Sequence, residues 1–506
     1  MPINFIVNDP LALNSVPMRQ KEPLANRKSG EAGFTFAQAA PAGLFDPGNA
    51  DFLFWQSREA ALTAIQMWEA LNGPLSQWGP ETENPDKLNL LPDVDDNLNA
   101  FYDRSSLSFF HHTIGAQTFF SGASTDVVAH ESGHAFLDTL RPELFGTSIT
   151  EHGAFHEAFG DCTALLTALF DQGTRQALIA ASPNLGTPNF VESLSEELSS
   201  AVKEAFGPNH PAAEPRHALN DFKFQLPTAL PRTGPPPMLT SEIHSFGRVF
   251  VGCFYDMIRN IFQNASTQDE ATLFSVAQTA ASLLIAGAKQ AETSPRFFQS
   301  IGRAIVLADQ TMNGGTNRQA ISDAFSRHGI LLGTMAALMP KASLAGPAPR
   351  ATAKAKALSL APETLKDIKK RIEAPAGSKF SFQALTLGDR EVVQAVHQRE
   401  VRLDQHGKEL KGVVAYAPEP VIVGGVEKVA AVFNILPDPS TTEDEVHAFV
   451  ETLLTNDDIS FEPKKRAAKG LVQTSRPKRN LSKYPSHIVA VRKGKKVLTR
   501  VRYFCC

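Results

Sequence analysis

The chain has 506 residues, enough for two or three domains, with 42% hydrophobic and 20% charged residues and a formal net charge of −4. That is ordinary globular composition, and the charge is too small to point to a polyanionic or membrane partner. Four cysteines, at 162, 253, 505 and 506, form no spacing that reads as a disulfide framework.

Residues 1 to about 50 are rich in Pro, Gly, Asn and Ala and read as an irregular N-terminal segment. They lack the basic start, apolar block and cleavage site of a secretory signal, and no continuous apolar run has the length of a membrane span. The expectation is therefore cytoplasmic, with export without a cleaved signal as the alternative. From Asp51 an amphipathic helix runs to Gly73. Short strands follow at Leu88–Val94 (broken at Pro92), at Asn99-Ala100-Phe101-Tyr102, at Leu107–Phe110 and near Phe119 and Phe120. His111 and His112 read as loop residues.

The stretch from Asp126 to Asp161, DVVAHESGHAFLDTLRPELFGTSITEHGAFHEAFGD, is the most informative. His130-Glu131-Ser132-Gly133-His134 is an HExxH motif. On a helix capped by Ser124 or Thr125 its two histidines stand one turn apart on one face and can reach one zinc ion. Glu131 lies where a carboxylate can take a proton from metal-bound water. Pro142 ends that helix. A second apolar helix carries Glu157 and Asp161 four residues apart. A catalytic zinc takes three protein ligands and keeps a fourth position open. Glu157 supplies the third ligand, and Asp161 can accept the outer ring N–H of a ligating histidine.

VVAHESGHAFLD followed by GAFHEAFGD resembles the thermolysin-like zinc metallopeptidases, HExxH enzymes whose third ligand is a glutamate on the next helix. The resemblance covers residues of about 50 to 335. It implies an α+β fold: a two-lobed zincin catalytic domain with a small β-containing lobe and a helical lobe. It implies zinc on His130, His134 and Glu157, Glu131 as general base, and Asp161 and Asp138 as supporting carboxylates. It also implies that the edge strand at Asn99 and Ala100 holds substrate backbone. Arg216 would bind a substrate carbonyl, His244 would stabilise the transition state, and Val127 and Phe119 would line an apolar primed-side pocket. The activity implied is endopeptidase cleavage before a hydrophobic residue, on a peptide or protein substrate.

Several family positions differ. His156 replaces the asparagine before the glutamate ligand, and from its place on the helix it is not read as a ligand. Ser148 falls near the place of an assisting tyrosine. Leu239 stands where an aspartate would orient His244, so Glu242 or another residue must substitute. Asp126 is retained, but Ala168 stands where a calcium-binding glutamate is expected, so a paired calcium site is not expected. An aminopeptidase is disfavoured because its amine-capturing GxMEN-type segment is absent. A zinc-binding scaffold without turnover remains the rival, and the intact Glu131 argues against it.

Residues 171 to 240 read as loop-rich and 265 to 335 as helical, ending in NRQAISDAFSRHGI. Residues 336 to 362 have linker composition. Residues 363 to 506 form a smaller appended α/β unit without a family match. Strands are expected at FSFQALTL, EVVQAVHQREVRL, GVVAYAP and AAVFNIL, and a helix after a Thr441 or Thr442 cap. A terminal hairpin turns near Gly494. From Pro463 onward there are many Lys and Arg and no Asp or Glu. With few aromatics and no recognition motif, a solvated face is favoured over nucleic acid, anionic lipid or an acidic partner.

Overall fold

The computed structural model describes residues 1–333, 362–461 and 484–505, apart from residue 38 and short breaks at 373, 375–376, 388–389, 425–430 and 433–435. The architecture is α+β. The expected linker up to residue 361 and the first half of the basic stretch, residues 463–483, lie outside the described residues.

One sheet has the strand order Tyr503–Phe504, Ala100–Tyr102, Ser106–Phe109, Lys87–Leu91, Gly33–Phe36. Its two outer strands, Tyr503–Phe504 and Gly33–Phe36, are not expected from the sequence, whereas Lys87–Leu91 overlaps the strand expected at Leu88–Val94. Gly33–Phe36 pairs parallel with Lys87–Leu91, and Ile3–Phe5 pairs with Arg19–Lys21. The first fifty residues are thus partly strand, because Phe5, Val7 and Phe34 bury apolar surface in the main core.

Helix Ala50–Asn72 starts at Asn49, whose side chain accepts from the Asp51 N–H, and stops at Gly73, whose φ of 78° suits glycine. It lies against the motif helix Thr125–Leu140, where Trp68 stacks on Phe136 with centroids 4.6 Å apart. The motif helix packs in turn on helix Thr150–Phe170, which packs on Ile243–Asn264. Glycines set these approaches. A Cβ on Gly133 would stand 2.8 Å from the Gly160 Cα, and one on Gly247 would stand 2.9 Å from the Ala154 carbonyl oxygen.

Helices Glu270–Gln290, Phe297–Asn313 and Arg318–Arg327 complete the helical part. Glu270–Gln290 has the length and apolar composition of a membrane span, contrary to expectation, but it is a core helix with Leu273, Leu283 and Leu284 buried. The loop-rich region also holds helices Gln172–Ala181 and Glu196–Phe206. His111 and His112 sit on strand His111–Ile114 rather than in a loop, paired with Asp93 and Asp96 at 2.7 and 2.6 Å.

The appended unit is a second sheet, in the order Phe380–Leu387, Arg390–Arg402, Val413–Gly424, Lys495–Arg500, His487–Arg492, Ile459–Ser460, with Ala431–Val432 beside Val413–Gly424. Helix Pro439–Thr455 covers it, capped by Asp438 rather than Thr441 or Thr442. The hairpin turns at Lys493 and Gly494, both at positive φ. This unit is not set apart from the rest. Ile149 belongs to its core, Ser148 N–H donates to the Tyr416 carbonyl, and Arg296 is clamped between Glu151 and Glu445. Its final strand, Tyr503–Phe504, leaves the second sheet altogether and joins the first.

Candidate active site

Helices Thr125–Leu140 and Thr150–Phe170 bring His130, His134 and Glu157 together, with their ligand atoms within 4.8 Å of one another. The Nε2 atoms of His130 and His134 stand 3.4 and 3.6 Å from Oε2 of Glu157. Two donors each about 2.1 Å from a tetrahedral zinc ion stand about 3.4 Å apart, so the spacing suits atoms sharing an ion better than a hydrogen bond.

All three side chains are almost fully buried, and neither the histidine Nε2 atoms nor the Glu157 oxygens make a hydrogen bond among the described residues, though His244 Nε2 stands 3.2 Å from Glu157 Oε2 as a charged neighbour. Buried polar atoms left this way cost stability unless something binds them. A zinc ion fits this donor set, which is borderline-soft nitrogen with one carboxylate. Gly160 keeps room for the first ligand, since a Cβ there would meet Nδ1 of His130 at 2.7 Å.

The outer nitrogens are also held. His130 Nδ1 donates to Asp161 at 2.8 Å, and Asp161 also receives Arg216 at 2.7 Å. Burial works to raise the Asp161 pKa, but Arg216 and His130 outweigh it and hold the carboxyl below its usual range. Burial likewise opposes a charge on His130. The Cys505, Asp161 and Glu157 groups around it prevail and raise it to about 10.

The second ligand brings a correction. Asp138 accepts from Tyr102 and Arg104, at 2.9 and 2.6 Å, and not from a site histidine. The partner of His134 is His156, with Nδ1 atoms 3.1 Å apart. For His134 to present a lone pair at Nε2, its Nδ1 must carry the proton and donate to His156. His156, expected to point elsewhere, is therefore the group beside the outer nitrogen of His134.

Glu131 is fully buried with neither carboxylate oxygen hydrogen-bonded among the described residues. Burial pushes its pKa well up. Opposite it, His244 opens helix Ile243–Asn264, and its Nδ1 meets Glu242 at 2.7 Å. Glu242 thus takes the orienting place that Leu239 leaves vacant. It also caps the helix by accepting the Ser245 N–H. Burial would keep His244 neutral, but Glu157 and Glu242 raise it to about 10.

Strand Ala100–Tyr102, expected at the sheet edge, is covered on its outer side by Tyr503–Phe504 and is an interior strand of the five-stranded sheet. Asn99 turns its carboxamide oxygen to the Ala100 N–H at 2.8 Å. Val127 and Phe119 line a small pocket of mixed character, with Phe110 and Leu198 and with the polar Asn97, Ser124 and Glu197. Asp126 accepts the Ser195 N–H at 2.7 Å and the N–H of its own neighbour Val127.

Residues 234–336, which include His244 and the helices that follow, match the family profile fungalysin metallopeptidase (M36). No match was found among curated proteins. The M36 family is one of zinc metallopeptidases, and the match, together with the His130, His134 and Glu157 group, supports the resemblance of this chain to the thermolysin-like zinc metallopeptidases.

Proposed function

We propose that the protein is a zinc-dependent endopeptidase of two-lobed, thermolysin-like build. The observation that carries this is the convergence on one place of a three-donor group short of partners, an unpaired buried carboxylate, and an edge strand flanked by a histidine and an arginine.

Bound at His130, His134 and Glu157, zinc would acidify a water and polarise the scissile carbonyl. The chain's own residues do the rest. Glu131 takes the proton from the attacking water and delivers it to the leaving amine. His244, held by Glu242, faces the developing oxyanion, where one such donor contributes a few kcal/mol. Arg216 holds the next carbonyl, and Ala100 offers main-chain pairing to an extended peptide. The pocket at Val127 and Phe119 favours a hydrophobic residue on the primed side.

A zinc-binding scaffold would have no use for Glu131 in this position or for a histidine oriented by Glu242. The test is a mixed peptide library incubated with zinc-loaded wild type and with Glu131→Gln, with cleavage sites mapped by mass spectrometry. Internal cuts by wild type and a loss of about 10²–10⁴-fold in the variant, with metal retained, are expected. Wild-type-like turnover by Glu131→Gln would refute the mechanism.

A further inference from the structure

The cleft already contains a peptide: the chain's own residues 503–505. Tyr503–Phe504 pairs antiparallel with the edge strand, Tyr503 opposite Tyr102 and Phe504 opposite Phe101. The Cys505 N–H donates to the Ala100 carbonyl at 3.0 Å. The Phe504 carbonyl lies 2.9 Å from Nε2 of His244, and the Cys505 carbonyl accepts from Arg216 at 2.6 Å. Tyr503 stacks on His156 and His134 at centroid distances of 4.0 and 5.0 Å, and Arg500 lies over its ring. The Cys505 sulfur sits 3.5 Å from Ser195 Oγ, and with His130 and Glu131 it forms a second group able to hold a metal ion, with ligand atoms within 4.8 Å of one another. Both Tyr503 and Cys505 are buried.

These contacts select one peptide bond. His244 holds the carbonyl of Phe504, Ala100 holds the N–H of Cys505, and Arg216 holds the carbonyl that follows. We propose that this segment is a substrate held in cis, and that the protein hydrolyses its own chain between Phe504 and Cys505. The proposal rests on the peptidase reading above. The oxygen of a water adds to the Phe504 carbonyl carbon, and the bond to the Cys505 nitrogen breaks. The proton taken up by Glu131 goes to that nitrogen. The products are a carboxylate at Phe504 and a free amine at Cys505, with whatever chain follows. While seated, the segment excludes any second peptide from the edge strand.

The test follows the intact mass of the zinc-loaded 506-residue chain. Wild type should lose Cys505 and Cys506, and Glu131→Gln should keep them. The rate should not change on about tenfold dilution, because the segment is tethered at an effective concentration of the order of millimolar. A rate that falls with dilution overturns cleavage in cis. Cys505→Pro removes the N–H that Ala100 accepts and should stay uncut; cutting at the wild-type rate overturns the assigned bond.

A readout independent of turnover uses a fluorescently labelled peptide VRYFCC and a chain ending at Arg500 that carries Glu131→Gln. Saturable binding by anisotropy is expected, and absence of binding overturns the assigned register. A wild type that leaves residues 505 and 506 in place while cutting added peptides refutes self-cleavage alone. A zinc-loaded wild type that cuts neither its own chain nor any added peptide refutes the peptidase reading, and this proposal with it.

Discussion

The floor of the cleft and its wall are made in different ways. The floor is two consecutive helices locked by Gly133 and Gly160, and the three grouped donors His130, His134 and Glu157, with Asp161 behind them, lie within 32 residues. The wall is assembled from Ala100, from Arg216 and His244, and from residues 503–505, which come from three distant parts of the chain. Local spacing suffices for ligands, whose geometry must be rigid. Recognition uses remote pieces, each held by its own side-chain partner.

The strongest test of that division removes a wall residue and leaves the floor alone. His244→Ala should lower kcat on an added peptide by about 10²–10³-fold, with zinc content by metal analysis unchanged. Loss of zinc in that variant would show that floor and wall are one unit.

The joint between the catalytic part and the appended unit provides a pH test. Burial raises Glu151 from 4.5 to about 7, against the pull of Arg296. Between those two values the native protein keeps a proton that the unfolded chain has lost. The contribution to stability is therefore greatest below pH 4.5 and falls by ~3 kcal/mol in total as pH rises to 7. Denaturant titrations at several pH values should show this slope, and Glu151→Gln should flatten it.

Within the floor, His156→Ala should weaken zinc binding by about 10–100-fold in a competition titration, as for other groups that orient a ligand. An unchanged affinity would return His156 to a packing role. The smallest effect expected is from Glu242→Ala. It should cost about 1 kcal/mol as a lost helix cap, measured by thermal melting, together with a fall in kcat and little change in KM.

Much of the floor could be read from the sequence, because an α-helix converts spacing into direction. Turns of 3.6 residues pair His130 with His134 and Glu157 with Asp161, and the resemblance to the HExxH metallopeptidases brings the two pairs to one ion. The same reasoning failed for His156 because its partner lies on the facing helix, and one helix's periodicity says nothing about the register of its neighbour. Asp138 failed for a similar reason: Tyr102 and Arg104 reach it from the edge strand and the turn beyond.

In the appended unit, the alternating strands and the hairpin at Gly494 were legible because both patterns are local. The last strand was not. Two residues carry no period, and Tyr503-Phe504 would have drawn attention only as an aromatic pair just after a basic hairpin. That the first fifty residues build strands was hidden by their Pro and Gly content, which masked the apolar runs at Ile3–Phe5 and Gly33–Phe36.

The strand at Tyr503–Phe504 also has a colloidal consequence. With it in place, Ala100–Tyr102 is an interior strand with its main-chain groups paired and Phe101 covered by Phe504 and Arg502. Withdrawing it would leave an apolar sheet edge open, the kind of surface on which a second copy of a chain can nucleate assembly. The same short strand that fills the cleft therefore also covers the sheet edge on which such pairing would start.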